Sequence, residues 1–183
     1  MAQMKIVSLV GMAGSGKSEV ARIFEDNNFR RIRFGDITDA EIRKRGLELN
    51  EQNERTIREQ LRQEHGMAAY AKLNLPNIAA AFKLGSVAVD GLYSWEEYLL
   101  LKETYGLSFV VVAVWSSPAT RYRRLANRRE RPLTPEEAAG RDKNEVEKVN
   151  KGGPIAMADF TILNESSLQD LKKQATRIIE LLK

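Results

Sequence analysis

Eight consecutive residues constrain this chain more than any others. Gly11-Met12-Ala13-Gly14-Ser15-Gly16-Lys17-Ser18 fits G-x-x-x-x-G-K-[ST] at every fixed position. The run before it, Lys5 to Val10 (KIVSLV), is apolar and β-branched, which predicts a fully buried strand. After it, Val20, Ile23 and Phe24 recur at helical spacing within Glu19 to Asp26. Glycines let the backbone come close to an anion, and the loop N–H groups then converge at the positive end of a helix. Gly11, Ala13, Gly14, Ser15, Gly16, Lys17 and Ser18, with Glu19 beside them, are therefore the expected triphosphate site. Lys17 is expected to reach the β- and γ-phosphates of ATP, and Ser18 to offer its hydroxyl to Mg²⁺. A dinucleotide loop fits less well, because Gly11, Gly14 and Gly16 do not make G-x-G-x-x-G.

Further strands are predicted at Arg31 to Phe34, Val87 to Val89, Phe109 to Trp115 and Phe160 to Leu163. Helical patterns separate them. Asp36 to Leu84 reads as three polar-rich helices, with Gly46 and Gly66 as stops. Ser94-Trp95-Glu96-Glu97 and Thr134-Pro135-Glu136-Glu137 have the form of capping boxes. Ser117-Pro118 opens another helix, Gly152-Gly153-Pro154 is expected to break the chain, and Ser167 caps a final amphipathic helix. Strands alternating with helices from end to end imply an α/β three-layer sandwich: a parallel five-stranded sheet covered on both faces.

The totals narrow the class. With 183 residues the chain suits one domain. It has no cysteine, which excludes disulfides and thiolate metal sites and fits a reducing compartment. A single histidine excludes a His-based metal centre or a Ser/His/Asp arrangement. No apolar run approaches the ~20 residues that span a bilayer, so no membrane partner and a cytoplasmic location are expected. The net charge is only +4, but Arg121, Arg123, Arg124, Arg128, Arg129 and Arg131 crowd one stretch. Such a block either faces a polyanion or lies on a solvated helix face, with Glu130 as one partner.

At this point the chain resembles the P-loop nucleoside monophosphate kinase superfamily, in particular adenylate-kinase-related proteins and dephospho-CoA kinase. Phe34-Gly35-Asp36 resembles the Gly-Asp pair where the acceptor site of adenylate kinases begins. Val87-Ala88-Val89-Asp90-Gly91 resembles their strand ending in Asp-Gly, whose aspartate holds Mg²⁺ through water. Arg141, Ala158-Asp159-Phe160 and Asn164-Glu165-Ser166-Ser167-Leu168 resemble the dephospho-CoA kinase ending. The resemblance implies a core at about 1–35, 85–127 and 154–183, a helical acceptor-binding insertion at about 36–84 and a lid at about 128–153. It also implies an ATP- and Mg²⁺-dependent kinase, monomeric or homodimeric, acting on a nucleotide-like acceptor. Two arginine positions of adenylate kinases are filled here by Asp39 and by Tyr93-Ser94, so the acceptor stays open between a nucleoside monophosphate and dephospho-CoA.

The candidate catalytic residues are Lys17, Asp90, Arg128, Arg141 and Asp36, with Arg124 and Arg128 toward the nucleotide and Ser18 and Asp90 toward the metal. Asp36 reads equally as a helix N-cap, and Asp90 also as a turn aspartate. Arg43 and Arg45 are candidate acceptor contacts or solvated helix residues. Tyr93 and Trp95 are candidate stacking surfaces, Trp95 more readily a packing residue, and Trp115 reads as core. His65 is expected to help close a helix. The rival function is a nucleotide-dependent RNA-binding protein, its phosphate-binding face made by the arginine block with Arg30, Arg31 and Arg33. Against it, only Tyr122 interleaves an aromatic with the block.

Overall fold

The structure, a computed structural model, describes residues 3–129 and 131–183. Glu130, expected as an arginine partner, lies outside the described residues. The strands are β1 (Ile6–Val10), β2 (Arg30–Arg33), β3 (Val87–Asp90), β4 (Phe109–Trp115) and β5 (Phe160–Leu163). They form one parallel sheet in the order β2-β3-β1-β4-β5. From the central β1 the chain runs to the edge strand β2, returns to place β3 between them, then crosses to β4 and β5 on the other side. In open sheets of this kind ligands bind beyond the carboxyl ends of the strands where the direction reverses. The eight-residue loop leaves β1 at that place.

The side-chain alternation of each strand assigns its residues to two cores. Val7, Leu9, Ala88, Val110, Val112 and Ile162 face helices α1 (Lys17–Asp26) and α9 (Leu168–Leu182), which supply Val20, Phe24, Ala175 and Ile179. Ile6, Val10, Val87, Val89 and Val111 face α2 (Asp36–Lys44), α3 (Glu51–His65), α4 (Ala69–Phe82) and α5 (Trp95–Tyr105). A small third cluster packs Ala13 against Leu125 of α6 (Pro118–Ala126), Leu133, and Ala138 of α7 (Pro135–Glu147). Both expected capping boxes form: Ser94 with Glu97, and Thr134 with Glu137. Gly46 and Gly66 adopt positive φ just past α2 and α3, as expected of stops. No helix among the described residues is long and apolar enough to cross a membrane.

Three local expectations need correction. Gly152-Gly153-Pro154 opens a short helix, α8 (Gly152–Ala156), and does not break the chain. Proline is tolerated in a first turn, where its missing N–H has no partner to lose. Gly153 also lets the backbone lie against the Trp95 ring, where a Cβ would come within 2.6 Å of Cε3. The interruption falls earlier, at Asn150, whose φ is +51°. Trp115 is not core: it is 46% exposed, because β4 outruns its cover and its register partner Leu163 is also open. The helix cap before α2 is Gly35, and Asp36 is already the first helical residue.

Arg121 ties the loop to the helices behind it. It is 4% exposed and grips Asp142 of α7 at 2.8 and 2.6 Å. It also donates to the carbonyls of Ala13 (3.1 Å) and Ser116 (3.2 Å). Removing one partner of a buried ion pair leaves an uncompensated charge. Arg121→Met is therefore expected to lower stability by about 3–5 kcal/mol. Urea titration would show this as a lower midpoint at unchanged slope.

Candidate functional site

The loop between β1 and α1 has the form of an anion cradle. Gly14 and Gly16 take φ of +80° and +102°, the left-handed region that favours glycine. A Cβ at Gly16 would strike the side-chain amide of Asn164, which itself donates 2.8 Å to the Ser15 carbonyl. The Ser15 hydroxyl is buried with no hydrogen-bond partner among the described residues. Lys17 bends back over the loop and donates to the carbonyls of Gly11 (2.8 Å) and Met12 (3.0 Å). Its ammonium pKa is lowered to about 7, first by burial and then by the nearby charge of Lys151. Ser18 is exposed one residue on, and Glu19 pairs with Arg22 at 2.7 Å.

Asp90 closes β3 beside this loop. Register places it level with Leu9 of β1 and Arg33 of β2. Its carboxylate is buried and accepts from Arg31 at 2.5 Å. Arg31 and Arg33, two residues apart on β2, point the same way, and Arg33 binds Asp36 (2.7 Å) and Asp39 (2.6 Å). Asp39 lines the cavity that opens here, whereas Asp36 lies outside it, its side chain 65% exposed.

That cavity has a volume of about 1100 Å³. Lys17, Ser18 and Asp90 form its floor, α3 one wall, and Arg128, Arg131, residues of α7 and Lys151 the other. The two walls are joined by charge. Glu51 accepts from Arg58 (2.6 Å) and from Arg141 of α7 (2.9 Å). Glu54 accepts from Arg58 (3.0 Å) and from Arg131. Glu145 of α7 pairs with Lys151 at 2.8 Å and Arg141 at 3.4 Å. Burial works to raise the Glu145 pKa, but Lys151, Arg141 and Lys17 outweigh it and hold the carboxyl at about 2. For Arg141 burial works downward, and Glu145 and Glu51 outweigh it upward. Arg128 stands at the rim, its guanidinium pKa lowered by partial desolvation and by Arg141 and Arg131.

The arginine block is thus not one face. Arg121 is structural, Arg128 and Arg131 line the cavity, and Arg124 lies behind the loop on Ser116 and Asn164. Arg43 and Arg45 are outside the cavity, Arg45 being held by Glu41 and Gln60. Tyr93 lines the cavity, but the Lys151 ammonium covers its ring at 5.2 Å and Tyr70 meets it edge-on at 5.2 Å. Trp95 packs on Tyr98, rings 5.0 Å apart. His65 is exposed in the last turn of α3, and its carbonyl accepts from Lys72. Sequence reading missed Arg58, Arg62, Glu51, Glu54, Glu145 and Lys151. The α3 members were legible as a charged stripe at three- and four-residue spacing, flanking Ile57 and Leu61, with Glu54 buried beside them.

Among the described residues no group of three or more His, Asp or Glu side chains could hold a metal ion alone. The oxygens facing a Mg²⁺ site are the Ser18 hydroxyl and the Asp90 oxygen that Arg31 leaves open, Oδ1, a hard-donor set that fits a cation completed by phosphate oxygens and water.

Fold, loop and cavity together define a P-loop protein of the small-kinase architecture. A family model described as an AAA domain matches residues 7–150. A UPF0200 protein of Thermococcus kodakarensis is 35% identical over 179 residues, covering 96% of each chain. Another, from Hyperthermus butylicus, is 36% identical over 177 residues, 95% of this chain and 92% of its own. The chain belongs to the UPF0200 family. Among solved structures, a shikimate kinase from Bacteroides thetaiotaomicron superposes with a TM-score of 0.64 at 14% identity, covering 98% of this chain and 99% of its own. A gluconokinase from Sinorhizobium meliloti gives 0.60 at 16%, covering 100% and 97%. At such identities the likeness is one of fold.

Lys17 makes a signed prediction for stability. Its folded pKa, about 7, is below the unfolded value of about 10.4. Between the two, the unfolded chain holds the proton more tightly, so unfolding free energy rises with pH across this window. The stability of the wild type relative to Lys17→Met is expected to increase from pH 7 to pH 10, read from urea midpoints. A flat difference would contradict the burial of the charge.

Proposed function

We propose that this protein is an ATP- and Mg²⁺-dependent phosphotransferase that moves the γ-phosphoryl group onto an anionic, nucleotide-like small acceptor. The observation that carries the reading is one cavity in which the loop floor opens directly onto the cations Arg33, Arg58 and Arg62. The triphosphate would lie on the loop N–H groups, and Lys17 would exchange two loop carbonyls for phosphate oxygens. Ser18 and Asp90 are the residues that would hold Mg²⁺, which when bound neutralises charge on the β- and γ-oxygens. Arg128 and Arg141, on the wall opposite α3, would meet the transferring group from above.

The acceptor is best read as a phosphate. Every carboxylate among the described lining residues is already engaged by a cation or a helix cap: Asp39, Glu51, Glu54, Glu59, Asp90, Glu137 and Glu145. No free base waits for a hydroxyl proton. A phosphate oxygen at neutral pH needs none: it bonds to Pγ as the bond from Pγ to the bridging oxygen breaks, and ADP leaves with that electron pair. A nucleoside monophosphate meets this requirement; dephospho-CoA, which would take the phosphoryl group on a ribose hydroxyl, does not. The names of the structural neighbours add shikimate and gluconate as comparison acceptors.

The test is ADP release from Mg·ATP across nucleoside monophosphates, dephospho-CoA, unphosphorylated nucleosides, shikimate and gluconate. A phosphorylated acceptor is expected to stimulate release. Lys17→Ala is expected to lower kcat by roughly 10²–10³-fold, the loss typical of one preorganised donor to developing charge. Arg62→Met is expected to raise KM for the acceptor with less effect on KM for ATP. A panel with no stimulation, in protein that binds Mg·ATP, would refute the reading.

A further inference from the structure

Lys151 has no part in the transfer described so far, and it is an unusual residue for a cavity wall. It is 2% exposed, yet it lines the same cavity as Lys17. Its backbone is fixed, the N–H donating to the Glu145 carbonyl at 3.1 Å immediately before α8, whose Gly153 abuts Trp95. Its ammonium rests 2.8 Å from a Glu145 oxygen and 5.2 Å from the centre of the Tyr93 ring. A buried ammonium is costly unless paired. Glu145 is that partner, but it also serves Arg141 and lies in the field of Lys17. Across the two walls, Glu51, Glu54 and Glu145 are three carboxylates for the four cations Arg58, Arg131, Arg141 and Lys151, which leaves one positive charge over.

The position of that excess matters. The charge of Lys17, in the phosphate loop, acts on both Lys151 and Glu145. Under the Lys151 ammonium is Tyr93, packed on Tyr70, whose ring also carries the Arg62 guanidinium at 5.5 Å. The Arg62 Nε is buried with no partner among the described residues. Lys151 thus lines the same cavity as the phosphate loop and Arg62, its ammonium held by Glu145 over the Tyr93 ring.

We propose that Lys151 is a second phosphate-binding cation, drawn from Glu145 onto the phosphoryl group in transfer, while Lys17 serves the β-phosphate side. The inference rests on the phosphotransferase reading. A lysine suits the task, being a compact charge on a flexible stem that can change partner without its backbone moving. ADP lacks the group that Lys151 would bind, so the residue should discriminate ATP from ADP.

The test compares affinities for Mg·ATP and Mg·ADP, by calorimetry without any acceptor, in Glu145→Gln and in Lys151→Met/Glu145→Gln. Removing both members of the pair avoids stranding a buried carboxylate, and thermal melts check that the double variant folds. The double variant is expected to bind Mg·ATP about tenfold or more weakly than Glu145→Gln, the scale of one charge-assisted hydrogen bond, with Mg·ADP changed by less than about twofold. Lys151→Arg/Glu145→Gln is expected to recover most of the loss. Equal ATP:ADP ratios in Glu145→Gln and Lys151→Met/Glu145→Gln, or equal losses for both nucleotides, would overturn the proposal and leave Lys151 as a counter-ion only. The phosphotransferase reading fails by a different result, the absence of acceptor-dependent ADP release from wild type.

Discussion

Positive charge gathered at the carboxyl end of a parallel sheet is the constraint to which the rest of the structure answers. Lys17 is fixed there by the loop after β1, and Arg31 and Arg33 by the alternation of β2. Arg58, Arg62, Arg131, Arg141 and Lys151 are brought there by helices and connections on both sides. Left alone, such a cluster would push its walls apart. The chain offsets the repulsion from within: Asp90 takes Arg31, Asp39 takes Arg33, Glu51 and Glu54 take arginines from both walls, and Glu145 takes Lys151 and Arg141. These contacts hold the cavity together, and each occupies a cation that a phosphate would otherwise bind. Phosphate oxygens and protein carboxylates compete for the same donors.

The scaffold makes that competition local. The buried strands on either side of β1 fix the loop's backbone through long-range contacts that do not involve the cavity charges. Asn164, after β5, holds the Ser15 carbonyl, and Arg121 holds that of Ala13. The cradle can therefore stay in place while Lys17 and the wall cations change partners.

Much of this was legible in the sequence because it depends on local rules. The apolar run of β4 marked its ends correctly, and Ser94, Ser117, Thr134 and Ser167 announced their helices through side chains that cap the next turn. The loop was legible from glycine and lysine spacing alone. What escaped depends on where distant elements meet. The Arg131–Glu54 and Arg141–Glu51 pairs join residues 77 and 90 apart, and no spacing rule connects them. Asp39 rather than Asp36 lines the cavity: one turn apart on α2, both hold Arg33, but Asp36 at the helix start stays open to solvent while Asp39 is covered. Trp115 looked like core because a strand pattern reports alternation and apolarity, not where the covering helices end.

The central claim is that Lys17 is held short of its charge until phosphate arrives. Calorimetry of Mg·ATP binding at pH 8, in buffers of differing ionisation enthalpy, tests it directly. With a free-state pKa of about 7, Lys17 is largely neutral at this pH and must charge on meeting the phosphates. The account predicts uptake of close to one proton, estimated from that pKa, which Lys17→Met does not show. Heats of binding independent of the buffer in wild type, or the same proton uptake in the variant, would contradict it.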